Sequence, residues 1–179
     1  NFVNSSLNKP ISPLRFNIKS GLVMDHLDIL QKSQLFKNIK SEVLQELSGY
    51  FEVKKVPARE NIFFEGDNGD ELFIIAFGTV KVIKNDPQSG EEKDLAMLAS
   101  GSYFGEMALI DREHKRTATL ETLEATTLIG LNKESLTALC NRSPEISSEI
   151  YKSLAQALAK RLSMTNDSLA HYKTIVEHK

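Results

Sequence analysis

Apolar positions along the chain change period twice. From Asp25 they recur at helical spacing, as Leu27, Leu30, Leu35-Phe36 and Ile39. Ser41 reads as an N-cap, Val43, Leu44 and Leu47 as a buried stripe, and Gly49 as a C-terminal stop. At Tyr50 the period becomes two. Phe51-x-Val53, Ile62-x-Phe64, Leu72-x-Ile74, Val80-x-Val82, Leu95-x-Met97, Ala118-x-Leu120 and the Leu128–Leu131 run read as short strands. Turn signals separate them at Gly66-Asp67-Asn68-Gly69 and Asp86-Pro87-Gln88-Ser89-Gly90. Short strands at this spacing predict a β-barrel or jelly roll.

The period returns to helical at the far end. Asn132 is placed to cap a helix running through Cys140, and Ser143-Pro144-Glu145 restarts one, with serine as N-cap and proline at the first helical position. This last helix is expected to run to the chain end. Its apolar positions Leu158, Leu162, Thr165, Leu169, Tyr172 and Val176 alternate spacings of four and three, a coiled-coil seam carrying one polar threonine. The expected organisation is an N-terminal arm or linker over 1–24, a β-barrel domain with N-terminal helices over 25–142, and a dimerisation or lid helix over 143–179.

The segment from Gly101 to Thr119 carries the chemistry. Gly105 lets backbone approach a ligand that any side chain would crowd. Glu106-Met107-Ala108-Leu109-Ile110 can start a helical turn whose unpaired N–H groups face an oxyanion. Arg116 opens the alternating segment Arg116-Thr117-Ala118-Thr119-Leu120, and its planar fork matches phosphate oxygens in a way lysine cannot. Arg116 for the anion and Glu106 for a ribose hydroxyl describe a nucleotide monophosphate site. The competing reading makes Glu106 an acid at a helix start and Arg116 a strand-surface residue. Ala108 and Ala118 serve by being small and presenting N–H groups. Met107 lies inside the stretch but reads, with Leu109, as core.

The segment resembles the phosphate-binding cassette of the cyclic nucleotide-binding domain family. The matching residues are Phe104-Gly105-Glu106-x-Ala108-Leu109 and Arg116-Thr117-Ala118-Thr119. The upstream glycine pattern is present too, as Ile62 to Asp70, then Leu72-Phe73-Ile74-Ile75 and Gly78-Thr79-Val80-Lys81-Val82. The resemblance implies a mainly β fold: a jelly roll of about eight strands interrupted by the phosphate-binding loop, with N-terminal helices and a long C-terminal helix. It implies a non-catalytic regulatory sensor for a 3′,5′-cyclic nucleotide, homodimeric through its last helix. Ligand contacts are expected at Phe104, Gly105, Glu106, Met107, Ala108, Arg116, Thr117 and Ala118. Thr117 does not decide the base, because threonine there occurs in sensors of both cyclic GMP and cyclic AMP. The stretch Ala159 to Asn166 resembles the dimer helix of the catabolite activator proteins, which places Thr165 and Asn166 against adenine across a subunit interface. That favours cyclic AMP, with cyclic GMP as the alternative. The other reading makes Thr165 a register-setting seam residue and Asn166 a solvated one.

Composition narrows the rest. With 179 residues, 41% hydrophobic and 26% charged, the chain fits one soluble domain plus appendages. A net charge of −2 gives no general attraction to nucleic acid or anionic membrane. Cys140, the single cysteine, cannot form an intrachain disulfide, and it reads as a small core residue in a reducing, cytoplasmic setting. No apolar run approaches the ~20 residues of a membrane span. His26, His114, His171 and His178 lack metal-ligand spacing, which argues against a metalloenzyme on the same barrel. No nucleophile–base pair stands out, so no catalysis, metal or cofactor is expected. A DNA-binding regulator is the second reading, with its output domain outside this chain, because the sequence stops at Lys179 as if cut mid-coil.

Overall fold

The computed structural model describes residues 16–17, 23–110 and 115–177. Its strands are β1 (Phe16–Asn17), β2 (Val23–Met24), β3 (Glu52–Val56), β4 (Asn61–Phe63), β5 (Glu71–Phe77), β6 (Thr79–Asn85), β7 (Glu92–Ala99), β8 (Tyr103–Phe104), β9 (Thr119–Thr122) and β10 (Thr126–Asn132). The helices are α1 (His26–Lys32), α2 (Ser41–Ser48), α3 (Met107–Ile110), α4 (Lys133–Arg142) and α5 (Pro144–Glu177). Eight strands form two four-stranded antiparallel sheets, ordered β3-β10-β5-β8 and β4-β9-β6-β7. This is the expected jelly-roll architecture with flanking helices. The arm expected over residues 1–24 lies outside the described residues except for the β1–β2 pair.

The uninterrupted apolar run Leu72-Phe73-Ile74-Ile75 follows from β5 being buried on both faces. Leu72 and Ile74 join Ile129 and Leu131 of β10 under the helices, where Leu30, Phe36, Leu44, Leu47 and Leu136 complete one core. Phe73 and Ile75 point the other way and meet Val80, Phe104, Leu120 and Leu128 between the sheets. The outer face of the second sheet is polar and carries the Lys81–Glu121 and Lys81–Asp94 ion pairs, each at 3.4 Å.

Several local expectations need correction. Ser41 is the first helical residue rather than the cap; Lys40 precedes it with no side-chain capping bond. Gly49 ends α2 with φ −70°, so it is not in the left-handed conformation of a glycine stop. Tyr103–Phe104 forms a strand too short to register as an alternation, paired Phe73↔Phe104 and Ile74↔Tyr103. Leu95 and Met97 are exposed rather than buried, and Leu95 faces an open cavity. The register jumps from Val82↔Ala96 to Ile83↔Asp94, which leaves Leu95 on a bulge.

Helix α5 has two regimes. Ile146, Ile150 and Leu154 belong to the helical core, and buried Ser153 donates from Oγ to the Leu35 carbonyl. Beyond Ala157 the apolar side chains Leu162 and Leu169 are exposed. The first half is thus anchored by packing, and the second presents Arg161, Met164, Thr165 and Ser168 to a cavity while its apolar seam stays exposed. Truncation by Leu154→Ala is expected to lower stability by about 2–5 kcal/mol. Equilibrium urea unfolding checks this as a lower midpoint with an unchanged slope.

Candidate ligand site

A cavity of about 1150 Å³ opens between the second sheet, the Gly105–Met107 segment, the Lys115–Ala118 segment and α5. It is lined by Phe104, Gly105, Glu106, Met107, Arg116, Thr117, Ala118 and Thr165 from the expected site. Asn166 does not line it and is exposed on the helix. The Ala108 backbone lies in α3, and its side chain is outside the described residues. Leu109 is core as expected, but Met107 is exposed at the cavity and is not core.

The sequence folds Arg116 into place from two sides. Its N–H donates to the Asp67 carbonyl and its own carbonyl accepts from Gly66 N–H, both at 2.8 Å. Gly66, at φ +86°, lets the turn close. The guanidinium then lies on an aromatic floor, with Cζ 4.1 Å from the Phe63 ring centre and 5.9 Å from that of Phe73. Phe63, Phe73 and Phe104 pack at 5.3–6.5 Å between centroids to make that floor. Nη1 donates to the Glu71 carbonyl at 2.8 Å. Gly105 has φ +80°, and a Cβ there would sit 2.6 Å from Nη1 and 2.7 Å from the Glu71 carbonyl oxygen. A side chain at Gly69 would collide with Nε. Both glycines are therefore required by the arginine.

Glu106 is 1% exposed. Burial pushes its carboxyl above the usual carboxylate range, and the Arg161 guanidinium opposes that shift. Arg161 Nη1 donates to Glu106 Oε1, and its Cζ lies 5.1 Å from the Tyr103 ring centre. Arg161 was not singled out from the sequence; the available signal was a carboxylate inside an apolar cassette, which demands a cation from elsewhere in the fold. Burial likewise draws Arg116 below its ordinary value, against the pull of Glu71, Asp70, Asp67 and Glu106.

Two buried atoms at the cavity have no hydrogen-bond partner, Glu106 Oε2 and Arg116 Nε. One accepts and one donates, and leaving such a group unpaired costs about 1–3 kcal/mol. They suit a ligand presenting a hydroxyl on one side and an anion on the other. The cavity lining also holds Lys37, Lys115, Arg116, Lys160 and Arg161 against one acid, Glu106. A chain of net charge −2 thus concentrates positive potential at one cleft. Among the described residues no group of three or more His, Cys, Asp or Glu is placed to hold a metal, and no helix is long and apolar enough to cross a membrane.

A β sandwich broken by a glycine–glutamate turn, with a buried arginine beside it, is an arrangement suited to a small anion. The family described as cyclic nucleotide-binding domain matches residues 53–143, and the chain belongs to it. It is similar to the cyclic AMP receptor protein of Thermus thermophilus, at 35% identity over 74% of this chain and 59% of that protein. Among solved structures it resembles a cyclic nucleotide-binding domain from Methylobacillus flagellatus, with TM-score 0.71 and 29% identity over 80% of each chain. It also resembles the Thermus thermophilus catabolite activator protein, with TM-score 0.68 and 34% identity over 77% of this chain and 62% of that one. The chain therefore spans about three fifths of these Thermus proteins.

Removing the Glu106 partner has a pH signature. With its folded pKa raised above 4.5, Glu106 favours the folded state below the unfolded pKa and loses that contribution as pH rises through the folded value. Arg161→Met removes the opposing charge and raises that pKa further. The variant is expected to lose roughly 1–3 kcal/mol at neutral pH and progressively less as pH falls. Thermal unfolding across pH checks it, and Glu106→Gln in the same background should flatten the dependence.

Proposed function

We propose that the chain is a non-catalytic sensor that binds a 3′,5′-cyclic nucleotide, cyclic AMP in preference to cyclic GMP, and transmits occupancy through α5. The observation that carries the reading is the pair of buried, unpartnered atoms on two cavity-lining residues, Glu106 Oε2 and Arg116 Nε. A ribose 2′-hydroxyl satisfies the first and a cyclic phosphate oxygen the second. Arg161 joins Glu106 to the distal half of α5, so ligand and helix share one carboxylate. Differential contact of that kind is what a ligand needs to bias two helix positions. Thr165 at the cavity supports an adenine contact, and the Thermus relative is named for cyclic AMP.

Dimerisation through α5 belongs to the same proposal. Leu162 and Leu169 are 63% and 52% exposed, and with Leu158 and Thr165 they keep the four–three spacing of a seam. Asn166, beside the seam, would reach a partner's ligand rather than its own. The Tyr172 and Val176 side chains, which would extend the seam, lie outside the described residues. A second reading, the sensor part of a cyclic-nucleotide-responsive transcription regulator in the cytoplasm, is favoured by the name of the Mycobacterium tuberculosis relative, a CRP-like cAMP-activated global transcriptional regulator at 29% identity. A DNA mobility-shift assay on the intact gene product tests it.

Titration calorimetry with both cyclic nucleotides tests the main reading. The expected result is uptake of cyclic AMP at lower concentration than cyclic GMP. Arg116→Ala should lose at least ~100-fold, since two charge-assisted hydrogen bonds of about 1.5–3 kcal/mol each are removed. No uptake of either nucleotide would overturn it. Leu162→Glu with Leu169→Glu is expected to halve the solution mass measured by light scattering.

A further inference from the structure

Strands β6 and β9 pair through Val80↔Thr122, Lys81↔Glu121, Val82↔Leu120 and Ile83↔Thr119, and the ladder stops there. Continued for two more register positions, the ladder would set Asn85 opposite Thr117. Two side chains divert it. Asn85 N–H donates to Glu65 Oε2 at 3.1 Å, and the Thr117 carbonyl accepts from Lys84 Nζ at 2.7 Å. The same Nζ donates to Glu65 Oε1 at 2.5 Å. Glu65 is tied in again where its N–H donates to Thr119 Oγ1 at 2.9 Å. Lys84 and Glu65 thereby bridge the two strands where Arg116–Ala118 leads into β9.

Thr117 is the residue this bridge holds, and it lines the cavity while Lys84 does not. Both peptides flanking it are fastened from outside. The Arg116 carbonyl accepts from Gly66 N–H, and across a trans peptide the following N–H points the opposite way. The Thr117 carbonyl is fastened by Lys84. Among the described residues neither the Thr117 N–H nor its hydroxyl makes a hydrogen bond within the chain. Two donors beside Arg116 are therefore oriented but unspent.

We propose that Lys84 is a positioning residue for the anion site, holding the Thr117 main chain, with Glu65 as counter-ion, so that the Thr117 N–H and the Arg116 guanidinium address one ligand phosphate. The proposal rests on the cyclic-nucleotide reading and deepens it. The Lys84 ammonium and the Asn85 N–H hold the Glu65 carboxyl below the usual carboxylate range, which keeps the counter-ion charged. The Lys84 side chain is 41% exposed, and an ion pair so placed adds little to stability. Its removal is thus expected to act on binding rather than on folding.

Calorimetry with cyclic AMP on the parent, Lys84→Met and Lys84→Arg, paired with amide nitrogen–proton spectra of Thr117, tests this. Lys84→Met should weaken binding about tenfold, the size of one charge-assisted hydrogen bond, while the unfolding midpoint of the ligand-free protein stays put. Lys84→Arg should recover most of the loss. The Thr117 amide resonance should shift on ligand addition in the parent and shift less in Lys84→Met. Parental affinity in Lys84→Met overturns the proposal, as does lost affinity with a parental Thr117 response. Should Lys84→Met not fold, Glu65→Gln is scored by the same readouts, with a smaller loss expected. A parent protein that takes up neither cyclic nucleotide overturns the underlying reading instead, and that result is distinct because it appears before any variant is measured.

Discussion

A guanidinium buried on aromatic rings, with its Nε left without a protein acceptor, is the constraint around which the chain is arranged. Arg116 stays charged in any ordinary environment, so its burial has to be compensated locally. The Glu71 carbonyl and the faces of Phe63 and Phe73 supply part of that compensation. The acids Glu71, Asp70, Asp67 and Glu106 supply more through space. Under the proposed function an anion would supply the remainder. Gly69 and Gly105 then follow as necessities, because a side chain at either would occupy the arginine's own volume.

Glu106 poses the same problem with the sign reversed, and its solution comes from a distant part of the chain. Arg161 reaches one carboxylate oxygen from α5 and leaves the other unpartnered. The proximal half of α5 is held by Ile146, Ile150 and Leu154 in the core, and the distal half has no comparable packing. A helix anchored at one end and tied by a polar contact near its middle is suited to shift when that contact changes. Under the proposed function, regulation would come from the difference between the two halves, since a fully packed helix would not move and a fully free one would carry no information.

Much of the site was legible because it is local. Gly105, Glu106 and Arg116 lie in one short segment, and the residue types alone describe an anion and a hydroxyl. The sheets were legible where one face is wet. They were less so at β8, which is too short to show a period, and at Leu95 and Met97, whose apolar character predicts burial although both are exposed. Capping at Ser41 was misread because the cap position is set by where the preceding chain enters, not by the residue type.

What the sequence by itself determined is the class of domain and the chemistry of its loop, since turn geometry needs particular glycines and anion binding needs a particular cation. The tertiary structure alone decided which partners those groups acquire. Arg161 meets Glu106 only because the rotation of α5 about its axis and its exit angle from the core point one helix face at the cavity. Thr165 falls on that face and Asn166 does not, although they are adjacent in sequence. Lys84 meets Thr117 only because the β6–β9 ladder ends two register positions short of Asn85 and Thr117. Pairings between distant segments depend on helix phase and strand register, quantities that packing sets and that no local pattern encodes.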